Sequence, residues 1–346
     1  MRAPRFGAMG IDEARALQVR RAARQTARAL APGHTLAADG GSNFAVRLIG
    51  GAARRALAEG SQATVLAVFR RSFYVEGADG GLACFGPEAM GAGPLNGLCA
   101  LAETIDWRAR GLHAGAPVAI ADGAVTIAER LVFSLDPALG WRPPRPIRRW
   151  TATSLARGLE RLAEAVLLRL PGDGIGPLIP DLATRRRPLG AAVAALGRAG
   201  AGAVCAMTEW LAKAAADAAP DRPPHAASPL IGCGPGLTPS GDDFVGGAMI
   251  GLRATARSSA ADSLGRWALE KAQEGTGKIS RAHLAAAADG EGADSLHRLV
   301  AAVLAGKAPQ SGVDAIAAIG HVSGFDALAG ATAVLAHTRP ANSRGL

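Results

Sequence analysis

Gly232-Cys233-Gly234-Pro235-Gly236-Leu237-Thr238-Pro239-Ser240-Gly241-Asp242-Asp243-Phe244 gathers glycines, prolines, hydroxyls and two adjacent carboxylates into one short stretch. Glycines and prolines at this density forbid a regular element, so the stretch reads as a shaped loop. It runs straight into Val245-Gly246-Gly247-Ala248-Met249-Ile250-Gly251-Leu252, whose small and apolar residues predict a buried helix. A loop ending on a helix N-terminus presents backbone N–H groups and the positive end of the helix dipole, which suits an anion.

Outward from this stretch, the second half of the chain keeps a helical period. Upstream, Leu155, Leu159, Leu162, Val166 and Leu170 recur at three- and four-residue spacing, and an Ala-rich helical stretch runs from Leu189 to Ala218. Downstream, helices fit Ala260–Ala272, Ser280–Ala288, Ser295–Ala305, Val313–Ile319 and Asp326–Ala336. The first half reads differently. Thr64–Phe69 is β-branched and apolar, Ser72–Val75 and Leu82–Phe85 flank a turn at Gly77–Gly81, and Pro117–Ile120 and Ala124–Ile127 flank Asp122-Gly123. Leu131–Phe133 adds a further strand, Gly93–Leu98 is an edge strand or a loop, and Gly40-Gly41-Ser42-Asn43 marks a turn between apolar flanks.

The prediction is an α+β chain. Residues 1–140 form an N-terminal antiparallel β domain of six to eight strands, barrel- or sandwich-like, with a leading helix over Met1 to Leu30. Residues 147–340 form a mainly helical domain carrying the glycine-rich motif. Trp141–Pro146, with three prolines, is the linker between them.

Composition narrows the function classes. The chain has 346 residues, a formal charge of +9 and 4% aromatics. Of its 38 basic residues only four are Lys, and the Arg are scattered without interleaved aromatics, so nucleic-acid binding is not expected. An anionic small substrate fits the charge as well. Four Cys without a C-x-x-C pair predict free thiols in a reducing cytoplasm. No apolar run approaches a membrane span, and no secretory h-region stands at the N-terminus.

Ser240-Gly-Asp-Asp-Phe-Val-Gly-Gly247 has an echo at Ser323-Gly-Phe-Asp-Ala-Leu-Ala-Gly330, with Ser, Gly, Asp and Gly at the same four offsets. The bland reading is a pair of capping boxes, Ser240 with Asp243 and Ser323 with Asp326. It leaves Asp242 unexplained. The functional reading has two helix N-termini converging on one anion, with the adjacent Asp242 and Asp243 holding a cation. No cofactor motif stands out, and Mg²⁺ between that pair and a substrate phosphate is the one cofactor the residues would suit. Equally, Asp242 is simply solvated.

Thr276-Gly-Lys-Ile-Ser-Arg-Ala-His283 adds Lys278, Ser280 and Arg281, which either grip phosphate or cap and solvate a helix start. Cys233 has no paired His and reads as a small thiol rather than a nucleophile. The His residues lack metal-ligand spacing; His321, beside the second copy, is the one of interest. Gly172-Asp-Gly-Ile-Gly176 resembles half of a dinucleotide fingerprint but lacks the strand–helix context, and carries no assignment.

Gly234-Pro-Gly-Leu-Thr-Pro-Ser-Gly-Asp-Asp243, Lys278-Ile-Ser280 and Gly320-His-Val-Ser-Gly-Phe-Asp326 together resemble the signature blocks of a bacterial family named for the AllH-type subunit of oxamate carbamoyltransferase. Cys233 and Phe325 depart from that pattern, at positions read as variable. The resemblance implies a complex of three different subunits that converts oxalurate and phosphate to oxamate and carbamoyl phosphate in allantoin breakdown. It does not say which subunit holds which catalytic group.

On this reading the catalytic candidates are Asp242, Asp243, Lys278, Ser323 and Asp326. The substrate-binding candidates are Gly234, Gly236, Thr238, Ser240, Gly241, Ser280, Arg281 and His321, and the metal candidates are Asp242 and Asp243. The expected partners are a small anionic substrate, phosphate or carbamoyl phosphate, and other protein subunits. Two rivals stand beside it: a non-catalytic scaffold subunit, and a phosphotransferase, which lacks the P-loop string G-x-x-x-x-G-K-[ST].

Overall fold

The computed structural model describes residues 42–101, 105–147, 149–186, 189–216 and 222–340. The leading helix expected over Met1 to Leu30 lies outside them. The chain divides into two compact units. One takes in the described residues up to Ala89 together with Asn96–Gly140; the other takes in Met90–Leu95 and the described residues from Trp141 onward.

The first unit is a barrel. Its elements are β1 (Ser42–Gly50), a short α1 (Gly51–Ala56), β2 (Gln62–Val68), β3 (Phe73–Glu76), β4 (Leu82–Pro87), β5 (Asn96–Cys99), β6 (Pro117–Ala121), β7 (Ala124–Ile127), β8 (Leu131–Ser134) and β9 (Leu139–Trp141). β1 pairs with β8 and with β5, which closes eight strands in the order β1-β8-β7-β6-β2-β3-β4-β5, and β9 adds to β1. Closure removes the edges that an open sheet would expose.

The strands expected from alternation are present; of Gly93–Leu98 only Asn96 onward is strand, in β5, which pairs with both β4 and β1 and is no edge. Ser42-Asn43, read as part of a turn, begin β1. Two differences are direction and number. β1 runs parallel to β8 (Ser42 opposite Leu131) and β4 parallel to β5 (Cys84 opposite Asn96), so the barrel is mixed rather than antiparallel. Alternation reports a half-buried strand whichever way its neighbour runs, so direction is not written in it. β9 and α1 are short elements that no periodicity announced.

Five aromatic residues fill this unit's core. Phe44, Phe73, Phe85, Trp107 and Phe133 stack and cross with ring centroids 4.9 to 5.7 Å apart. Such pairs add about 0.5–1.5 kcal/mol each beyond their area. The Trp107 indole N–H is not left orphaned; it donates to the Arg71 carbonyl at 3.0 Å.

The second unit is helical: α2 (Ala152–Val166), α3 (Ile179–Ala183), α4 (Leu189–Ala215, kinked at Gly197), α5 (Ser240–Ala254), α6 (Ser258–Gly275), α7 (Lys278–Ala288), α8 (Asp294–Leu304), α9 (Gln310–Ala317) and α10 (Ser323–Leu335). α2 begins on a capping box, in which Thr151 and Ser154 bond each other's backbone N–H at 3.0 and 2.9 Å. α5 and α10 make its most extensive helix contact. No helix among the described residues is long and apolar enough to cross a membrane.

Candidate functional site

The loop 232–239 leads into α5, and the turn at Gly320-His321-Val322 leads into α10. Both helices begin on the motif serine itself, earlier than the apolar run alone suggested. Pro239 and Val322 occupy the cap positions, and neither helix has a side-chain cap bond. The expected capping boxes are therefore absent: with Ser240 and Ser323 already inside the first turn, their hydroxyls face elsewhere.

They face each other's copy. The Ser240 hydroxyl lies beside the Asp326 carboxyl and the Ser323 hydroxyl beside that of Asp243, each favouring the charged form of its neighbour. Thr238 joins through its Oγ1, 2.9 Å from Ser323 Oγ. The glycines complete the exchange. A Cβ on Gly247 would lie 1.8 Å from the Ala327 carbonyl oxygen, and one on Gly330 would lie 1.8 Å from that of Phe244. Gly251 in turn abuts Ala331. Contacts advance in the same direction along both helices, so α5 and α10 run parallel with their N-termini together. Ser-x-x-Asp-x-x-x-Gly thus encodes a pair of helices in backbone contact, with serines crossing to the opposite carboxylates.

Asp326 is fully buried. Its Oδ1 accepts the Ile175 and Gly176 amides at 2.6 and 2.9 Å. Burial raises its carboxyl to about 6, against the lowering effect of Ser240 and of the two amides. Burial likewise holds Asp243 well above the usual carboxylate range; Ser323 and Thr238 oppose the shift, while the negative charges of Asp326 and Asp242 add to it. The Oδ2 atoms of Asp243 and Asp326 are both buried without a protein hydrogen-bond partner.

Asp242 goes another way. Its Oδ1 accepts the Gly232 amide at 2.8 Å, and its Oδ2 accepts the Thr276 and Ser280 hydroxyls, each at 2.6 Å. It ties the base of the loop to the start of α7, buried rather than solvated, with both of its oxygens engaged by protein donors. Ser280 is spent on the same bond and is buried, so it is part of the scaffold. Gly241 is also sealed: a Cβ there would lie 1.9 Å from the Leu230 carbonyl oxygen. Among the described residues no group of three or more His, Cys, Asp or Glu could hold a metal ion.

The remaining candidates lie nearer the surface. Gly234 and Gly236 adopt φ of 115° and 99° in the exposed segment 234–237, where L side chains rarely go. Thr238 and Ser323 are half-buried between that segment and the carboxyls; Lys278 and His321 are exposed. Arg281 turns its Nη1 back to the Gln273 carbonyl at 2.9 Å. Burial, and then the Asp242 charge, raise the Cys233 thiol, which disfavours the nucleophilic thiolate.

The residues that sequence reading missed are Gly174, Ile175 and Gly176. Gly174 has φ 79° and no room for a side chain, because a Cβ would lie 2.6 Å from Asp326 Oδ1. Two successive amides aimed at one oxygen need such a turn. The glycine run Gly172-Asp-Gly-Ile-Gly176 was the available signal; its target is a carboxylate of the same chain.

No curated protein and no solved structure matches the chain. Residues 230–335 match the family model described as oxamate carbamoyltransferase subunit AllH. That span runs from the foot of the loop to the end of α10 and contains both copies of the repeat. Over this stretch, less than half of its length, the chain is similar to the AllH family of oxamate carbamoyltransferase subunits.

Proposed function

We propose that the chain is the anion-holding subunit of a carbamoyltransferase complex of ureide catabolism, working in the cytoplasm with partner subunits. Its ligand is phosphate or carbamoyl phosphate, held at the Gly232–Phe244 loop. In that reaction a phosphate oxygen attacks the ureido carbonyl of oxalurate and the C–N bond breaks. Oxamate leaves with the proton on its amide nitrogen, and the carbamoyl group stays on phosphate.

The observation that carries this reading is the parallel pair α5 and α10, whose N-termini lie together and meet the end of the exposed segment 234–237 through the Thr238–Ser323 hydroxyl contact. Two aligned helix dipoles favour negative charge at one place. The Gly234 and Gly236 backbone, with the Thr238 and Ser323 hydroxyls, supplies donors of the kind that hold a phosphate or a developing oxyanion. Lys278 stands at the start of α7, next to the Asp242 anchor, and is a candidate to neutralise phosphate.

A scaffold subunit is the second reading, favoured by the purely packing roles of Asp242, Gly241 and Gly247. Isothermal titration of the purified chain with phosphate, carbamoyl phosphate and oxamate separates the two. Saturable binding of phosphate or carbamoyl phosphate, weakened roughly tenfold in Thr238→Ala by loss of one charge-assisted hydrogen bond, is expected. A folded chain that binds none of the three ligands is a scaffold.

A further inference from the structure

We propose that Asp243 and Asp326, one from each copy of the repeat, hold a hard divalent cation of the Mg²⁺ or Mn²⁺ class, with the Thr238 and Ser323 hydroxyl oxygens beside it. This is a different pair from the sequence neighbours Asp242 and Asp243, whose carboxylates go to separate partners.

The argument rests on what each oxygen of the pair touches. Asp326 is fully buried; two backbone amides donate to its Oδ1 and the Ser240 hydroxyl lies beside the carboxyl, yet its Oδ2 has no protein hydrogen-bond partner. Asp243 Oδ2 is buried without a donor as well. Two buried acceptors on neighbouring carboxyls are costly unless something positive satisfies them. The charges that reach Asp243 are those of Asp326 and Asp242, both negative. The surrounding side-chain atoms are carboxylate and hydroxyl oxygens, the donor set of a hard cation rather than of zinc or copper. A cation of the Mg²⁺ class is commonly held by one or two carboxylates, with water and a phosphate completing its shell. The exposed segment 234–237, which leads directly into Thr238, offers that phosphate and water an approach.

The test titrates Mn²⁺ alone into the EDTA-stripped 346-residue chain and counts bound metal by EPR, with thermal melting in Mg²⁺ as a second readout. One bound Mn²⁺ per chain and a Tm raised by Mg²⁺ are expected. Asp243→Asn and Asp326→Asn, checked for folding by circular dichroism, should each weaken Mn²⁺ roughly tenfold or more. Ser323→Ala, which keeps both carboxyls, should weaken it about threefold. Wild-type chain that binds no Mn²⁺ at millimolar metal overturns the site, as does unchanged affinity in the folded Asn variants. A Tm that responds to acid but not to Mg²⁺ also overturns it and assigns the pair a shared proton. Should both Asn variants fail to fold, Ser323→Ala decides, and unchanged affinity there overturns the site. No phosphate or carbamoyl ligand enters the experiment, so its failure leaves the anion reading standing.

Discussion

The two copies of Ser-Gly-x-Asp-x-x-x-Gly differ at one informative position. Where α5 carries Asp242, α10 carries Phe325. Asp242 reaches out to Gly232, Thr276 and Ser280 and fastens the motif loop and α7 to the helix start. Phe325 is buried against Gly176, where a Cβ on that glycine would come within 2.6 Å of its own. The rest of the repeat is used alike: serine to the other copy's aspartate, final glycine to the other copy's backbone. The shared positions therefore build the helix pair, and the third position adapts each copy to what lies outside it.

The most severe test of this equivalence is Gly247→Ala beside Gly330→Ala. Each methyl would meet backbone at 1.8 Å, which no flexible side chain can relieve. Both should lose about 4 kcal/mol or more in chemical denaturation, by overpacking and forced helix separation. A large loss in one and a small loss in the other would break the symmetry.

The third position should separate the copies next. Phe325→Ala removes a buried ring and should cost about 3 kcal/mol, leaving the loop before α5 in place. Asp242→Ala leaves an amide and two hydroxyls without their acceptor and should cost about 2 kcal/mol. Its distinguishing mark is local: the Gly232 amide loses hydrogen-exchange protection, and the 234–237 segment becomes a site of proteolytic nicking, while the same probes in Phe325→Ala stay unchanged.

The smallest effect sharpens the comparison of the two carboxyls. Asp326 is raised to about 6 in the folded chain, so the folded state keeps its proton longer than the unfolded state does. Its contribution is therefore most favourable at low pH and is lost as pH rises toward its folded value. In metal-free protein the stability of wild type relative to Asp326→Asn should fall by about 1 kcal/mol between pH 5 and 7.5. Carbon-13 titration of the carboxyls should show Asp326 ionising near 6 and Asp243, also raised by burial, well above its ordinary value. A flat difference would mean that the two carboxyls are better solvated than their burial implies.

Much of this was legible without coordinates. Helical spacing located α5 to α10 to within a few residues, because side chains three and four apart share one buried face. Turn glycines and alternation located most barrel strands. The repeat was legible as a repeat, but its use was not. Ser-x-x-Asp within one helix and Ser-to-Asp between two helices are the same letters, and local propensity favours the capping reading at about 1 kcal/mol.

What the sequence by itself determined is the inventory: a β-rich half, a helical half, and two motif copies that each begin a helix. Its periodicities are short-range, so they specify elements and the faces those elements bury. What only the tertiary structure decided is which partners meet. It closed β1 onto both β5 and β8, sent Asp242 to Ser280 rather than to Asp243, and brought Gly174 under Asp326, about 150 residues away in the chain. Those outcomes depend on close packing between distant segments, where a backbone oxygen admits hydrogen and not methyl, and no local window of sequence records that distance.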